Sequence, residues 1–272
     1  MTQEVMQTTD RAVSLINAST QYPEFVDRWA IVVGISRYQH QAMNLRFAHR
    51  DAEKLCELIQ TPSGGAFAQD HIIKLIDEEA TTANITRALR SFLKKPASED
   101  IVLIYFACHG APDPDRPDIV YLLTHDTVPT DISGTALPMR EIDLCLRENL
   151  QAERVILIAD TCHSAAIGGK IGRRSAVDDS AEVLRYLREV GNTKPGLALL
   201  TSARANETSQ EGEQWNGGHG VFTHYLLEGM RGAAAQDGVV RIGELFDYVC
   251  DQVEQATDNR QHPSVGTNSF DQ

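Results

Sequence analysis

Two stretches of the chain carry residues able to do chemistry near neutral pH. One is "IYFACHG", which ends in His109 and Gly110; the other is "VILIADTCHS", which holds Asp160 and Cys162. A cysteine is a nucleophile as its thiolate, and a histidine is the usual partner that makes a thiolate near pH 7. Asp160 and Cys162 share one face of an extended segment, because strand side chains alternate with period two. The glycine after His109 lets the backbone turn sharply, and the N–H groups of Gly110 and Cys162 would suit an oxyanion on an acyl substrate. The residues alone leave packing open, since an acid and a thiol at a strand end also arise where a core meets solvent. A zinc site from Cys108, His109, Cys162 and His163 is the other alternative, and no pair among them has the usual ligand spacing.

Neighbouring residues of the same types read differently. His163 adjoins Cys162 and faces the opposite side of an extended chain, so it is a poor base for that thiol. Cys108 lies inside the apolar run and is expected in the core, as are Cys56, Cys145 and Cys250, which fall in helical patterns. His219, in the glycine-rich "GGHG", reads as a loop residue.

The elements that must position His109 and Cys162 follow from hydrophobic pattern. "WAIVVGI" (29–35), "HIIKLI", "DIVLIYFACHG" (100–110), "RVILIAD" (154–160) and "GLALLTSA" (196–203) are short apolar runs of buried-strand length. "DIVYLLT" (118–124) reads as a short strand or hairpin arm. Helical spacing marks "AHRDAEKLCELIQ", "TTANITRALRSFLKK" with a threonine cap, "MREIDLCLREN", "GVFTHYLLEGM" and "IGELFDYVCDQVEQ". The alternation predicts an α/β fold, a mostly parallel central sheet of about six strands with helices on both faces. Ligands bind such sheets at the carboxyl ends of the strands. His109, Gly110 and the segment from Asp160 to Ser164 are placed there.

Residues 1–27 are polar and read as an N-terminal extension, with one domain over 28–272. The net charge of −13 argues against a nucleic-acid or anionic-membrane surface. No apolar run is long enough to span a membrane, no secretion signal is visible, and five cysteines without CxxC spacing fit a reducing cytoplasm.

With these motifs in strand context, the chain resembles the caspase-like cysteine peptidases, above all the metacaspase and paracaspase branch with its bacterial members. The resemblance runs over roughly residues 28 to 265. It includes "WAIVVGISRY", "NLRFAHRDAEKL", "LLTSARANETS", "GHGVFTHYLLEGM" and "QHPSVG". It implies a caspase-like fold, with His109 as catalytic histidine and Cys162 as nucleophile in a dyad needing no third member. A large-subunit-like part would extend to about residue 165, a linker over 166–180 and a small-subunit-like part over 181–272. Ala165 stands where many metacaspases have glycine, and Ala107-Cys108 replaces the common Ser-Gly before the histidine.

The resemblance also implies a pocket for the residue before the scissile bond. Asp160 and Asp51 match the acids of the basic-specific branch, and Glu207 sits where a third polar or acidic wall residue is common. Grouped carboxylates favour a cation, and arginine's planar fork satisfies two at once. The expected substrates are proteins with exposed arginine, then lysine. Lys170, Arg173 and Arg174 are candidate processing sites in the linker, for autocleavage or for a partner. No cofactor is required; calcium is a possibility through Asp178 and Asp179, a thin set for an ion that wants six or more oxygens. An upstream activator or inhibitor protein, and a role in programmed cell death or immune signalling, follow from the resemblance alone. Three alternatives stand beside this reading: a silent caspase-like scaffold, an unrelated thiol amidase or thioesterase, and an aspartate-specific peptidase using Arg37, Arg46 or Arg204.

Overall fold

A computed structural model describes residues 27–162, 194–204 and 207–267, together with Val183, Arg185, Tyr186 and Val190. In chain order the strands are β1 (Arg28–Gly34), β2 (Ile72–Ile76), β3 (Ile101–Pro112), β4 (Val120–Leu123), β5 (Leu137–Pro138), β6 (Arg154–Cys162), β7 (Leu197–Thr201), β8 (Glu211–Gly212), β9 (His219–Gly220) and β10 (Ser264–Thr267). The principal helices are α1 (Ala48–Ile59), α2 (Thr82–Ser91), α3 (Met139–Glu148), α4 (Val221–Glu228) and α5 (Ile242–Ala256).

The main sheet has the order β10-β7-β6-β3-β1-β2. All neighbours in that path run parallel except β10, which is antiparallel to β7. The far end of β3 folds against β4 as an antiparallel arm, and β4 in turn carries β5, which brings the sheet to eight strands. The central strands are apolar on both sides because both sides are covered. Ile31, Val33, Ile104, Phe106 and Leu157 meet Leu89 of α2 and Ile142 and Leu146 of α3. Their neighbours in sequence, Ala30, Val32, Leu103, Tyr105 and Ile158, meet Leu55 of α1, Phe222 of α4 and Val249 of α5. Full burial of one such side chain contributes roughly 1.5–3 kcal/mol, so both helical layers are firmly seated on the sheet.

All six strands expected from apolar runs are present, and the threonine cap of α2 is Thr81, whose side chain accepts the N–H of Asn84. The structure adds β5, β10 and the two-residue pair β8–β9. β10 follows Pro263 and holds a glycine, and Val265 is exposed. Such an edge strand has neither the alternation nor the apolar run that marks buried strands.

One close approach holds α1, and with it Asp51, against the sheet. A Cβ on Gly34, at the end of β1, would lie 2.4 Å from the Ala52 Cβ and 2.6 Å from the Ala48 carbonyl oxygen. Gly34→Ala is therefore expected to destabilise the chain by about 1–3 kcal/mol, the usual cost of overpacking. Urea unfolding of the variant beside the wild type measures it, and an unchanged midpoint would show that α1 gives way freely.

Candidate active site

β3 and β6 are adjacent and in register, so His109 stands opposite Cys162 and Ala107 opposite Asp160. The two strand ends singled out by the sequence are thus one place, at the carboxyl edge of the sheet centre. Positions 107, 109, 160 and 162 share a face by alternation and register. Gly110, the expected oxyanion glycine, stands next to His109 and opposite Leu122 of β4.

His109 is buried and closely held. Its backbone N–H donates to the Tyr38 hydroxyl at 3.0 Å, and the two rings stack with centroids 5.4 Å apart. Its Nε2 lies 2.8 Å from the carbonyl oxygen of Met43. A carbonyl only accepts, so Nε2 carries the proton and Nδ1 is the basic nitrogen of the neutral ring. The expected dyad thereby has a backbone orienter that side-chain motifs cannot reveal.

Asp51 and Asp160 come together from opposite directions. Asp51 lies in the first turn of α1, and its Oδ1 is 2.6 Å from Nδ1 of His219 while Oδ2 accepts the Gly220 N–H at 3.1 Å. Asp160 accepts the hydroxyls of Ser209 and Thr223, each at 2.9 Å, and a bond from Ser202. Both carboxylates come close to Gly220: a Cβ there would lie 3.1 Å from Oδ2 of Asp160 and 3.2 Å from Oδ2 of Asp51. Burial pushes the Asp51 carboxyl from its ordinary 3.8 up to about 7, against the pull of the His219 bond and with a push from Asp160. Asp160 is also raised by burial, against its three hydroxyl bonds.

The remaining expectations divide. Glu207 is joined to a different group: its Oε1 is 2.7 Å from Nδ1 of His262, and its Oε2 accepts the N–H groups of His262 at 2.7 Å and Arg204 at 3.1 Å. It ties the loop after β7 to the chain just before β10. Glu211 takes a place near the paired acids that the sequence did not suggest. It accepts the Phe47 N–H, and its carboxyl is raised by burial and by the charge of Asp160. His219 is not the loop residue its glycine-rich surroundings imply. It is buried in β9, paired with β8 and bonded to Asp51. Cys108 lies in the core, where burial pushes its thiol up to about 12. Arg37, Arg46 and Arg204 are each more than half exposed and lie beside Asp77 and Glu78, Glu213 and Glu254 respectively. Among the described residues no group of three or more His, Cys, Asp and Glu is placed to hold a metal ion, and no helix is long and apolar enough to cross a membrane. His163, Ala165, Lys170, Arg173, Arg174, Asp178 and Asp179 lie outside the described residues.

A family model of the caspase domain matches residues 27–272. The chain belongs to the caspase-domain peptidases. A probable protease of a Desulfuromonadales bacterium is 24% identical over 279 residues, covering 88% of this chain and 32% of that protein, so the chain spans about a third of its relative. A solved structure of a Geobacter sulfurreducens protein superposes with a TM-score of 0.60 at 18% identity, over 90% of this chain and 95% of the other. Caspase-1 from Spodoptera frugiperda gives 0.57 at 14% identity, over 93% and 95%. These structural likenesses are of fold. Within it, the caspase domain presents His109 and Cys162 on adjacent strands and two buried acids on the same edge.

The raised carboxyl of Asp51 gives this caspase domain a pH-dependent stability. The folded chain retains a proton there that the unfolded chain releases near pH 4. Its stabilising effect is therefore full below about pH 4 and declines as pH rises through about 7. The groups facing Asp51 are His219, the Gly220 N–H and Asp160. Asp51→Asn removes the titration. Its stability relative to wild type is expected to improve from pH 5 to about pH 7 and then level off in urea unfolding, and a parallel or opposite trend would contradict the burial assigned to this acid.

Proposed function

We propose that this caspase domain is a cysteine endopeptidase that cleaves protein chains after arginine and, less well, after lysine. The observation that carries the reading is the pair Asp51 and Asp160 brought together at Gly220, at the strand edge where His109 is in register with Cys162. A carboxylate has about four lone-pair sites. Asp51 uses two of its own and Asp160 three, so acceptor capacity remains on both acids for the N–H fork of a guanidinium. An ammonium offers its hydrogens from a single point and would satisfy the pair less completely. Glu211 adds negative potential at the same place.

The chemistry follows from the register. The Cys162 thiolate attacks the carbonyl carbon after the held arginine, and the negative oxygen takes the N–H groups of Gly110 and Cys162. His109, protonated, gives its proton to the departing amine as the C–N bond breaks, leaving an acyl-thioester. It then accepts a proton from water, whose oxygen attacks the thioester and releases the new carboxyl end and the thiol. The Met43 carbonyl orients the ring in both half-reactions. None of these steps uses a metal or cofactor, and calcium would act by regulation. Cutting at Lys170, Arg173 or Arg174, by the domain itself or by a partner, is the regulatory step consistent with such a pocket.

Fluorogenic peptides ending in Arg, Lys or Asp test the reading, with wild type, Cys162→Ala and Asp160→Asn. Arg cleavage above Lys is expected, abolished by Cys162→Ala. Asp160→Asn should lower kcat/KM for Arg by at least about 30-fold, the effect of ~2 kcal/mol for one partner of a desolvated charge pair. Cleavage after Asp alone would discard the pocket and keep the peptidase. Activity that survives Cys162→Ala would discard both.

The raised Asp51 carboxyl also sets a trend in KM. Below about pH 7 that acid is protonated and holds a guanidinium poorly, so KM for the Arg peptide is expected to fall as pH rises from 6 to 8. A KM that is flat or rising over that interval would place the cation elsewhere.

A further inference from the structure

Asp77 ends the run that begins with β2, two strands away from His109, and no role in catalysis follows from its place in the sequence. It is wholly buried, and it holds a left-handed backbone conformation with φ of 48°, unusual for a residue with a side chain. A buried carboxylate in a disfavoured conformation persists only where its partners over-determine it. Those partners are informative. Oδ1 accepts the N–H groups of Ser36 at 2.7 Å and Arg37 at 2.8 Å, and Nε of Arg37 approaches Oδ2 at 3.0 Å, off the line of a good hydrogen bond.

Ser36 and Arg37 open the loop between β1 and α1, and that loop holds the histidine. Tyr38, the next residue, receives the His109 N–H on its hydroxyl and stacks on the ring. Met43, five residues further on, supplies the carbonyl to Nε2. The loop closes on itself through Leu45 N–H to the Ser36 carbonyl and Tyr38 N–H to Asn44 Oδ1, each at 2.9 Å. From outside it is fixed by Asp77 and by His125, whose Nδ1 donates to the Arg37 carbonyl at 2.7 Å. The Tyr38 and Met43 contacts to His109 therefore both come from a segment whose first two N–H groups end on one carboxylate oxygen.

We propose that Asp77 is a positioning residue for the catalytic histidine, acting through the Ser36–Tyr38 loop to set the ring against Cys162. The proposal rests on the Cys162–His109 pairing of the proposed function. Asp77→Ala removes the shared acceptor. Asp77→Asn keeps a carbonyl oxygen in its place, and asparagine tolerates the left-handed conformation, so it is the rescue variant.

The test is the rate of Cys162 alkylation by iodoacetamide against pH, followed by mass spectrometry on the full chain, with kcat and KM for an Arg peptide alongside. Wild type should react well below the ordinary thiol range, because the imidazolium partner stabilises the thiolate. Asp77→Ala, folded by circular dichroism, should lose at least about tenfold of that low-pH reactivity and a similar factor in kcat, with KM within about twofold, as expected when a reacting group is misplaced by about an ångström. Asp77→Asn should recover most of both. A merely structural role would lower the active fraction and leave the pH profile of the remaining molecules alone. If Asp77→Ala does not fold, Tyr38→Phe, which takes the acceptor from the His109 N–H and keeps the ring, should show the same change to a smaller degree. A normal low-pH limb in Asp77→Ala, or in Tyr38→Phe where that variant stands in, overturns the proposal and leaves the peptidase reading intact. A wild type without the limb overturns the Cys–His pairing and the role of Asp77 with it.

Discussion

The parallel pairing of β3 with β6 is the constraint on which the other features of the site depend. Register in a buried sheet is set by which residues must face which core, and a one-residue slip would turn every side chain over. In β3 and β6 both faces are occupied: Ile104 and Leu157 serve one layer of helices, while Tyr105 and Ile158 serve the other. The packing of residues deep in the sheet therefore fixes that His109 emerges beside Cys162 and that Asp160 emerges one pleat earlier on the same face. The two positions need no direct attraction to become neighbours. Their adjacency is a consequence of hydrophobic burial further down the strands.

The acids obey a different economy. Two like charges out of water repel more strongly than at a surface, and each loses its hydration. The fold meets that cost with donors: His219 and the Gly220 N–H on Asp51, and the hydroxyls of Ser202, Ser209 and Thr223 on Asp160. The donors are still insufficient, since burial leaves both carboxyls raised. Under the proposed function, a guanidinium beside both acids supplies the positive charge that this deficit calls for. The acids also lean on the core itself, because Thr223, which donates to Asp160, is bonded at 2.7 Å to the hydroxyl of Tyr105 in the middle of β3.

Much of this was legible in the residues. The apolar runs showed the strands of the parallel sheet, and the motifs "ACHG" and "ADTCHS" marked the two strand ends, because continuous apolar strands and catalytic residue types are local signals. What escaped notice depends on pairings across sequence. Glu211 and His219 reach Asp160 and Asp51 through a two-residue ladder, β8 with β9, that closes around a glycine-rich loop. Neither strand is long enough to show a period, so Glu211 looked like one acid among several and His219 like a loop tip. Glu207 drew attention by its place in "RANETS", and its bonds go to His262, a contact that no spacing could disclose. The Met43 carbonyl is invisible to any reading of side chains.

The described contacts divide into two sets that share the edge of one sheet. Asp51, His219, Gly220, Ser209 and Thr223 build the surroundings of the paired acids and stand on α1, α4 and the loop between β7 and α4. Tyr38, Met43, Asp77 and His125 hold the histidine and stand on the loops after β1, β2 and β4. Ser36 lies closest to joining them, since its hydroxyl contacts Nδ1 of His49 on α1 while its N–H belongs to Asp77. Under the proposed function, a substitution in the first set alters which side chain is held, and one in the second alters how fast the held bond is cut. Such a separation allows a caspase-type sheet to change its substrate without rebuilding its chemistry.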